Sequence, residues 1–238
     1  TMLTGEECIP EENSRITSST IEMLDMEQHY DIAVIDEAQM IADRDRGHSW
    51  TRAILGVKAD EIHICMSPAA EEVVTHLIAL CEDTFEVRHY ERKTALVCEQ
   101  EAFVFPDDVT EGDALITFTK RAVLDIAGRL EREGIRASVI YGSLPPEIRR
   151  RQIRLFLSHE TKVVVSTDAI GMGLNLPVRR IVFIQTEKYD GISTRPLNIP
   201  EIRQIAGRAG RFGMYDTGYV NAMGEDARNY IAKRFDQP

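Results

Sequence analysis

Six short apolar runs recur along the chain without strict apolar–polar alternation: IAVI (32–35), IHIC (62–65), ALIT (114–117), ASVIY (137–141), KVVVS (162–166) and RIVFI (180–184). Such runs fit strands buried on both faces of a parallel sheet. Between them the period becomes helical. Val123, Ile126, Ala127 and Leu130 fall at i, i+3, i+4 and i+7, and Gly134 supplies a stop. SLPPEIRRRQIRLFL opens with Ser143, two prolines and Glu147, then sets Ile153, Phe156 and Leu157 on one side, which predicts a second helix. Strand and helix alternate throughout, so the predicted class is α/β with mainly parallel sheets. The polar, turn-rich segment 88–113 is the expected link, dividing the chain into 1–95 and 96–238.

Composition changes this picture mainly through charge. The net charge of −11 argues at first sight against nucleic acid. Its distribution says otherwise: residues 1–95 carry 20 Asp+Glu against 8 Lys+Arg, while residues 96–238 carry 19 against 20. Arginines outnumber lysines 22 to 6, and RRRQIR (149–154) is a local cluster that reads most simply as a solvated helix face. Charge balance thus leaves a nucleic-acid partner open. Cysteines 8, 65, 81 and 98 form no C-x-x-C, and the six histidines lack ligand spacing, so reduced structural thiols of an intracellular protein are expected. No apolar run reaches membrane length, and no membrane partner is expected. TMLTGEECIP has neither the basic start nor the apolar stretch of a secretory signal. It starts at Thr1 within what reads as structure, so a piece of a longer chain is expected.

Three constellations carry chemistry. The first is AVIDEAQM (33–40), a strand that ends in two carboxylates. In open α/β sheets, ligands bind beyond the carboxyl ends of strands. There one carboxylate, Asp36, can hold Mg²⁺ on phosphate oxygens while the next, Glu37, orients or deprotonates a water. Gln39 and the MIADRDRG that follows make the run more distinctive than a bare Asp-Glu. The second is QIAGRAGRFG (204–213). A helix from Pro200 to Arg211 would place Gln204, Arg208 and Arg211 on one face and Ile202, Ile205 and Ala209 on the opposite one. Ala206, Gly207, Ala209 and Gly210 keep the surroundings small enough for a backbone or phosphate to approach. Two guanidiniums on such a face suit the charge of a transferring phosphoryl group. The third is VVVSTDAIGMGLNLP (163–177), a buried strand followed by Ser166, Thr167, Asp168 and a loop with Gly171, Gly173 and Asn175, a surface able to contact phosphate.

In this order the three elements resemble motifs II, V and VI of superfamily-two helicases. With TGEE, STIEM, SPAA and SVIYGSLPP, the resemblance extends over nearly the whole chain and is similar to the RNA helicases of the mitochondrial degradosome and their bacterial relatives. It implies tandem RecA-like domains, the first truncated at its N-terminus, working with ATP and Mg²⁺. By resemblance, Asp36 binds Mg²⁺ through water and Glu37 is the base. Gln204 positions the attacking water, and Arg208 and Arg211 reach the γ-phosphate. Asp168 and Gly171 line the nucleotide cleft, and Ser67, Pro68 and Ala69 couple hydrolysis to strand movement. Thr4, Gly5, Thr20, Gly142, Ser143 and Thr167 grip the sugar-phosphate backbone, which positions a strand without reading its bases. Single-stranded or partly duplex RNA is the implied partner, with DNA as an alternative and an exoribonuclease as a further partner. The bacterial cytoplasm is placed ahead of the mitochondrial matrix.

One departure matters. The family's Gly-Lys-Thr phosphate loop is missing, and no Gly-Lys pair occurs in the chain. Asp36 and Glu37 are therefore expected to face a loop upstream of Thr1, and the isolated 238-residue piece is expected to hydrolyse ATP negligibly. A DNA translocase with the same engine, and a non-catalytic nucleic-acid-binding module, are the competing expectations.

Overall fold

A computed structural model describes residues 1–5, 7–171 and 176–235, and the chain divides into two compact units, Thr1–His89 and Tyr90–Pro238. In the first unit β1 (Met2–Leu3) pairs antiparallel with β2 (Cys8–Ile9) and parallel with β3 (Ser18–Ser19). A second, two-stranded ladder runs parallel between β4 (His29–Ile35) and β5 (Lys58–Ile64), in register from His29 opposite Lys58 to Ile35 opposite Ile64. α1 (Gly47–Gly56) and α2 (Glu71–Leu80) complete the unit. Ile35, Trp50, Ala53, Ile54, Ala70 and Val74 form its core.

This ladder departs from the strand pattern expected of it. Ala33 and Ile35 pack into the core, but Ile32 and Val34 are 58% and 65% exposed. The apolar run thus reflects one face against the helices and one that nothing covers among the described residues.

The second unit contains the parallel sheet expected of it. Its sheet is wholly parallel, with order β6 (Ala95–Cys98), β13 (Thr217–Ala222), β10 (Arg180–Phe183), β7 (Asp113–Ile116), β9 (Val163–Ser166) and β8 (Ala137–Ile140). β7, β9 and β10 are buried along their whole length. Alternate residues serve two cores. Leu115, Val163, Val165 and Val182 pack with Val123, Ile126 and Leu130 of α3 (Lys120–Arg132). Ile116, Val164, Ile181 and Phe183 pack with Phe156 of α4 (Pro146–Leu157), Ile202 and Ile205 of α5 (Ile199–Ala206) and Ile231 of α6 (Glu225–Phe235). The hairpin β11 (Glu187–Tyr189) and β12 (Thr194–Pro196) stands between β10 and α5. Thr119 starts α3 by accepting a hydrogen bond from the Ala122 N–H at 3.1 Å. Among the described residues no helix is long and apolar enough to cross a membrane.

Because the six strands are parallel, their amino ends share one edge. There Asp113, fully buried, holds Arg180 through two hydrogen bonds of 3.0 and 2.7 Å, and Glu99 pairs with the same guanidinium at 3.1 Å. Asp113→Ala strands that buried cation and is expected to cost about 3–5 kcal/mol. The result should be a lower urea midpoint at unchanged slope. A shift below about 1 kcal/mol would mean that Glu99 compensates on its own.

Candidate functional site

In the first unit, β1 and β3 end side by side, so Thr4 and Thr20 follow adjacent parallel strands; the Thr20 N–H donates to the Leu3 carbonyl at 3.0 Å. The Thr4 hydroxyl accepts from the Glu7 N–H at 2.8 Å, and Gly5 is exposed with open space around it. Thr4, Gly5 and Thr20 therefore come together at one strand edge.

β4 delivers Asp36 and Glu37 at its carboxyl end. The turn is fixed from β5, where the Cys65 N–H donates to the Ile35 carbonyl and the Ala38 N–H to the Cys65 carbonyl, both at 2.9 Å. From α1 the Trp50 indole N–H donates to the Asp36 carbonyl at 3.0 Å. Asp36 Oδ1 accepts from the Glu37 N–H at 2.9 Å, and the side chain stays exposed. A carboxylate with one oxygen held by the backbone and the rest facing water fits a Mg²⁺ that keeps waters and phosphate oxygens as its other ligands. Among the described residues no group of three or more His, Cys, Asp or Glu could cage a metal ion alone.

Glu37 occupies the left-handed region, with φ 53°, which costs a non-glycine residue about 1–2 kcal/mol. Its carboxylate accepts from the Gln39 amide, whose Oε1 in turn accepts from the Ser67 N–H at 3.0 Å. One side-chain amide thus joins the acidic couplet to the Ser67–Pro68–Ala69 turn. The sequence marked Gln39 only as distinctive; this bridge depends on the register of β4 against β5, which no local pattern discloses.

In the second unit β8 and β9 are neighbours, and the Thr167 N–H donates to the Ile140 carbonyl at 3.1 Å. Gly142 and Ser143 are exposed on the turn after β8, held by the Arg149 guanidinium donating to the Gly142 carbonyl at 2.8 Å. The Thr167 hydroxyl is buried and accepts from the Ala169 N–H at 3.3 Å. Gly142, Ser143 and Thr167 share this edge, with the backbone at Gly142 and Ser143 more open than the Thr167 side chain.

Asp168 is paired with Lys188 at 2.8 Å. Lys188 also reaches Glu201 at 3.2 Å, and Arg195 grips Glu201 with two hydrogen bonds of 2.9 Å. The β11–β12 hairpin therefore connects the Asp168 turn to the start of α5. Burial alone would raise the Glu201 carboxyl, but Arg195, the Asn198 N–H and Lys188 outweigh it and hold its pKa at about 2. Burial likewise opposes the charge on Lys188, and Asp168 and Glu201 reverse that, raising its pKa. Lys188 was missed from the sequence, since an isolated lysine in a hairpin carries no local signal.

α5 starts with a reciprocal cap: Asn198 accepts from the Glu201 N–H, and Glu201 from the Asn198 N–H, each at 2.9 Å. It ends at Ala206, not at Arg211. Arg208 and Arg211 stand on the turn beyond the helix, so they do not share a helical face with Gln204. The cause is a close backbone approach. The Gly210 N–H donates to the Val178 carbonyl at 2.8 Å, and a Cβ on Gly210, at φ 68°, would meet the Gly218 nitrogen at 2.5 Å. Gly207 thus caps the helix end, and at Gly210 what approaches is the backbone of β13. Ile202, Ile205 and Ala209 do point inward, all nearly fully buried.

The same turn brings three expected residues together. The Arg208 guanidinium donates to the Gly171 carbonyl, and the Gln204 side chain lies 3.5 Å from where a Gly171 Cβ would stand. Asp168 joins them through the 3₁₀ turn Asp168–Gly171. Gly173 and Asn175 of the same loop lie outside the described residues. The couplet Asp36–Glu37 belongs to the first unit and Gln204, Arg208 and Arg211 to the second.

Comparison with known proteins follows this division. Residues 1–90 match the DEXQ-box helicase domain of Suv3, and residues 93–213 match the helicase conserved C-terminal domain. The mitochondrial DExH-box ATP-dependent RNA helicase DExH18 of Arabidopsis thaliana is 41% identical over 244 residues, covering 100% of this chain and 31% of that protein. The mitochondrial ATP-dependent RNA helicase SUV3 of Saccharomyces cerevisiae is 36% identical over 252 residues, covering 100% and 34%. The chain thus spans about a third of the length of these curated relatives. Among solved structures, Saccharomyces cerevisiae Dbp5 bound to RNA and ADP–BeF3 matches with TM-score 0.66 at 18% identity, covering 99% of this chain and 67% of that one. That likeness shows the RecA-like fold. The chain belongs to the superfamily-two DExH/D-box helicases, as a Suv3-type DEXQ-box helicase domain followed by a helicase C-terminal domain.

Proposed function

We propose that the two units are the motor of an ATP-dependent RNA helicase, in which ATP hydrolysis drives movement along and unwinding of RNA. The observation that carries this reading is the chain of contacts from Glu37 through Gln39 to Ser67. A passive nucleic-acid-binding module has no use for a carboxylate held in a left-handed turn and linked by one amide to a second loop. In the proposed mechanism Asp36 would hold a Mg²⁺, whose charge would offset that of the phosphates. Glu37 takes the proton of the attacking water, Gln204 orients that water, and Arg208 and Arg211 meet the charge that develops on the γ-phosphate. Asp168 and Gly171 line the nucleotide cleft, and the Gly171 carbonyl holds Arg208. A change at Glu37 passes through Gln39 to Ser67, Pro68 and Ala69, and so to the strand held by Thr4, Gly5, Thr20, Gly142, Ser143 and Thr167. These residues lie at strand-edge turns, where backbone and hydroxyl groups can grip phosphates without reading bases.

RNA is preferred over DNA because the relatives named above are RNA helicases. Those names also specify mitochondria, which supports the mitochondrial alternative; none of them favours the bacterial cytoplasm expected from the sequence. An exoribonuclease partner rests on the family resemblance alone. The test is ATP turnover by the full-length protein that carries this chain, with RNA or DNA strands of matched sequence. Stimulation by RNA at least about tenfold above DNA is expected if RNA is the track. Equal stimulation would contradict the RNA assignment, and absence of turnover with either would contradict the motor.

A further inference from the structure

Arg92 stands outside every motif described above, as the third residue of the second unit. Its guanidinium forms a fan of hydrogen bonds to main-chain carbonyls. Nε donates to Thr94 at 2.9 Å, Nη1 to Gly207 at 2.8 Å, and Nη2 to Ala209 and, at 3.4 Å, to Gly210. Three of these acceptors interleave with Arg208 and Arg211. They lie on the turn just beyond the C-terminal end of α5, where the helix dipole favours a cation. No ion pair is recorded for Arg92 among the described residues, and burial lowers its pKa from the ordinary value. Next to it, the Lys93 ammonium lies 5.0 Å from the centre of the Phe212 ring, a second fastening on the same turn. Arg92, Arg208 and Arg211 line a cleft of about 210 Å³.

We infer that Arg92 is a positioning residue for the arginine pair, fixing the peptide units from which Arg208 and Arg211 project. The turn is held on its other side by the Gly210 N–H bonded to Val178. On the cleft side the Arg92 fan is what bridges three of its carbonyls at once. Only a guanidinium has donors enough, in one plane, to do this. Lysine offers a point charge that can serve one carbonyl at a time. The ladder of β6 with β13 and the Gly210–Val178 hydrogen bond do not involve Arg92, so the fold is expected to persist without it.

This inference rests on the helicase reading, and the test separates the two. In the full-length protein, RNA-stimulated ATP turnover and thermal melting are measured for wild type, Arg92→Ala, Arg92→Lys, Arg211→Ala and the double variant Arg92→Ala/Arg211→Ala. Arg92→Ala is expected to lower kcat about 30-fold with KM within about threefold, the pattern of an interaction felt in the transition state. Arg92→Lys should lower kcat about tenfold, and it keeps the question open to measurement if the alanine variant does not fold. Added to Arg211→Ala, the Arg92→Ala change should cost less than it does alone, because the part of its loss that is routed through Arg211 is already gone. Melting should stay within a few degrees of wild type. Wild-type kcat in a folded Arg92 variant, or full multiplication of the two losses, would overturn the inference and leave the motor standing. Unchanged turnover in Arg211→Ala would instead remove Arg211 from the mechanism and the positioning role of Arg92 with it, whereas absence of RNA-stimulated turnover in the wild type would overturn the motor.

Discussion

Replacing Arg211 by alanine in the full-length protein is expected to cut ATP turnover by about 10³–10⁵-fold, the range an arginine finger contributes to phosphoryl transfer. Nucleotide affinity should change by less than about tenfold, because the charge Arg211 meets is greatest in the transition state. The sequence alone placed Arg211 on a helix, from which a long side chain can swing freely. The structure places it on a turn pinned by three constraints: the Gly210–Gly218 approach, the Val178 hydrogen bond and the Arg92 fan. A guanidinium on a pinned turn acts without reorganising, and such preorganisation is the main source of electrostatic catalysis. Steady-state turnover and equilibrium binding of a fluorescent ATP analogue, measured on the same preparation, check the split. Unchanged turnover would remove Arg211 from the mechanism.

The second large effect is expected at Glu37. Glu37→Gln keeps the size of the side chain and its hydrogen-bonding contact with Gln39, but removes the proton acceptor. General-base catalysis contributes about 10²–10⁴-fold, and turnover should fall by that amount. Binding of ATP and RNA should persist, so the variant should accumulate with both bound. Rapid turnover by Glu37→Gln would show that Glu37 is not the base and that its left-handed turn serves the fold alone.

Much of the fold was legible because the second unit's central strands, β7, β9 and β10, are buried on both faces, and burial writes itself into sequence as unbroken apolar runs. The same logic misled for β4 and β5, where identical runs mark a ladder covered on one side only. β13 was not anticipated from TGYVNA, since Gly218 and Asn221 interrupt its apolar pattern. Both have tertiary reasons: Gly218 admits the Gly210 backbone, and Asn221 donates to Glu99 at 2.7 Å and to the Glu101 carbonyl at 3.1 Å. The helix over 200–211 was over-extended for a related reason. Glycines at 207 and 210 can be read as small helix positions or as a stop, and only the partner strand decides between them.

The candidate site divides in the same way. Within one run, Asp36–Glu37 and Thr167–Asp168 were legible as candidates at a strand end, and Arg208 and Arg211 were legible as candidates but were placed on a helix face instead of the turn beyond it. Residues that act across runs were not: Gln39 on Ser67, Lys188 between Asp168 and Glu201, and Arg92 on the turn from 207 to 210. Each is a single polar residue whose partner lies far along the chain, so its meaning comes from the packing.

The central claim is that the carboxylates of the first unit and the guanidiniums of the second act on one nucleotide. The most direct measurement is an experimental structure of the full-length Glu37→Gln protein trapped with ATP, Mg²⁺ and RNA. Asp36 is expected on the metal's water shell, and Gln204, Arg208 and Arg211 around the same γ-phosphate, with Arg211 within about 3 Å of its oxygens. A trapped complex in which the guanidiniums lie remote from the phosphates held beside Asp36 would contradict it.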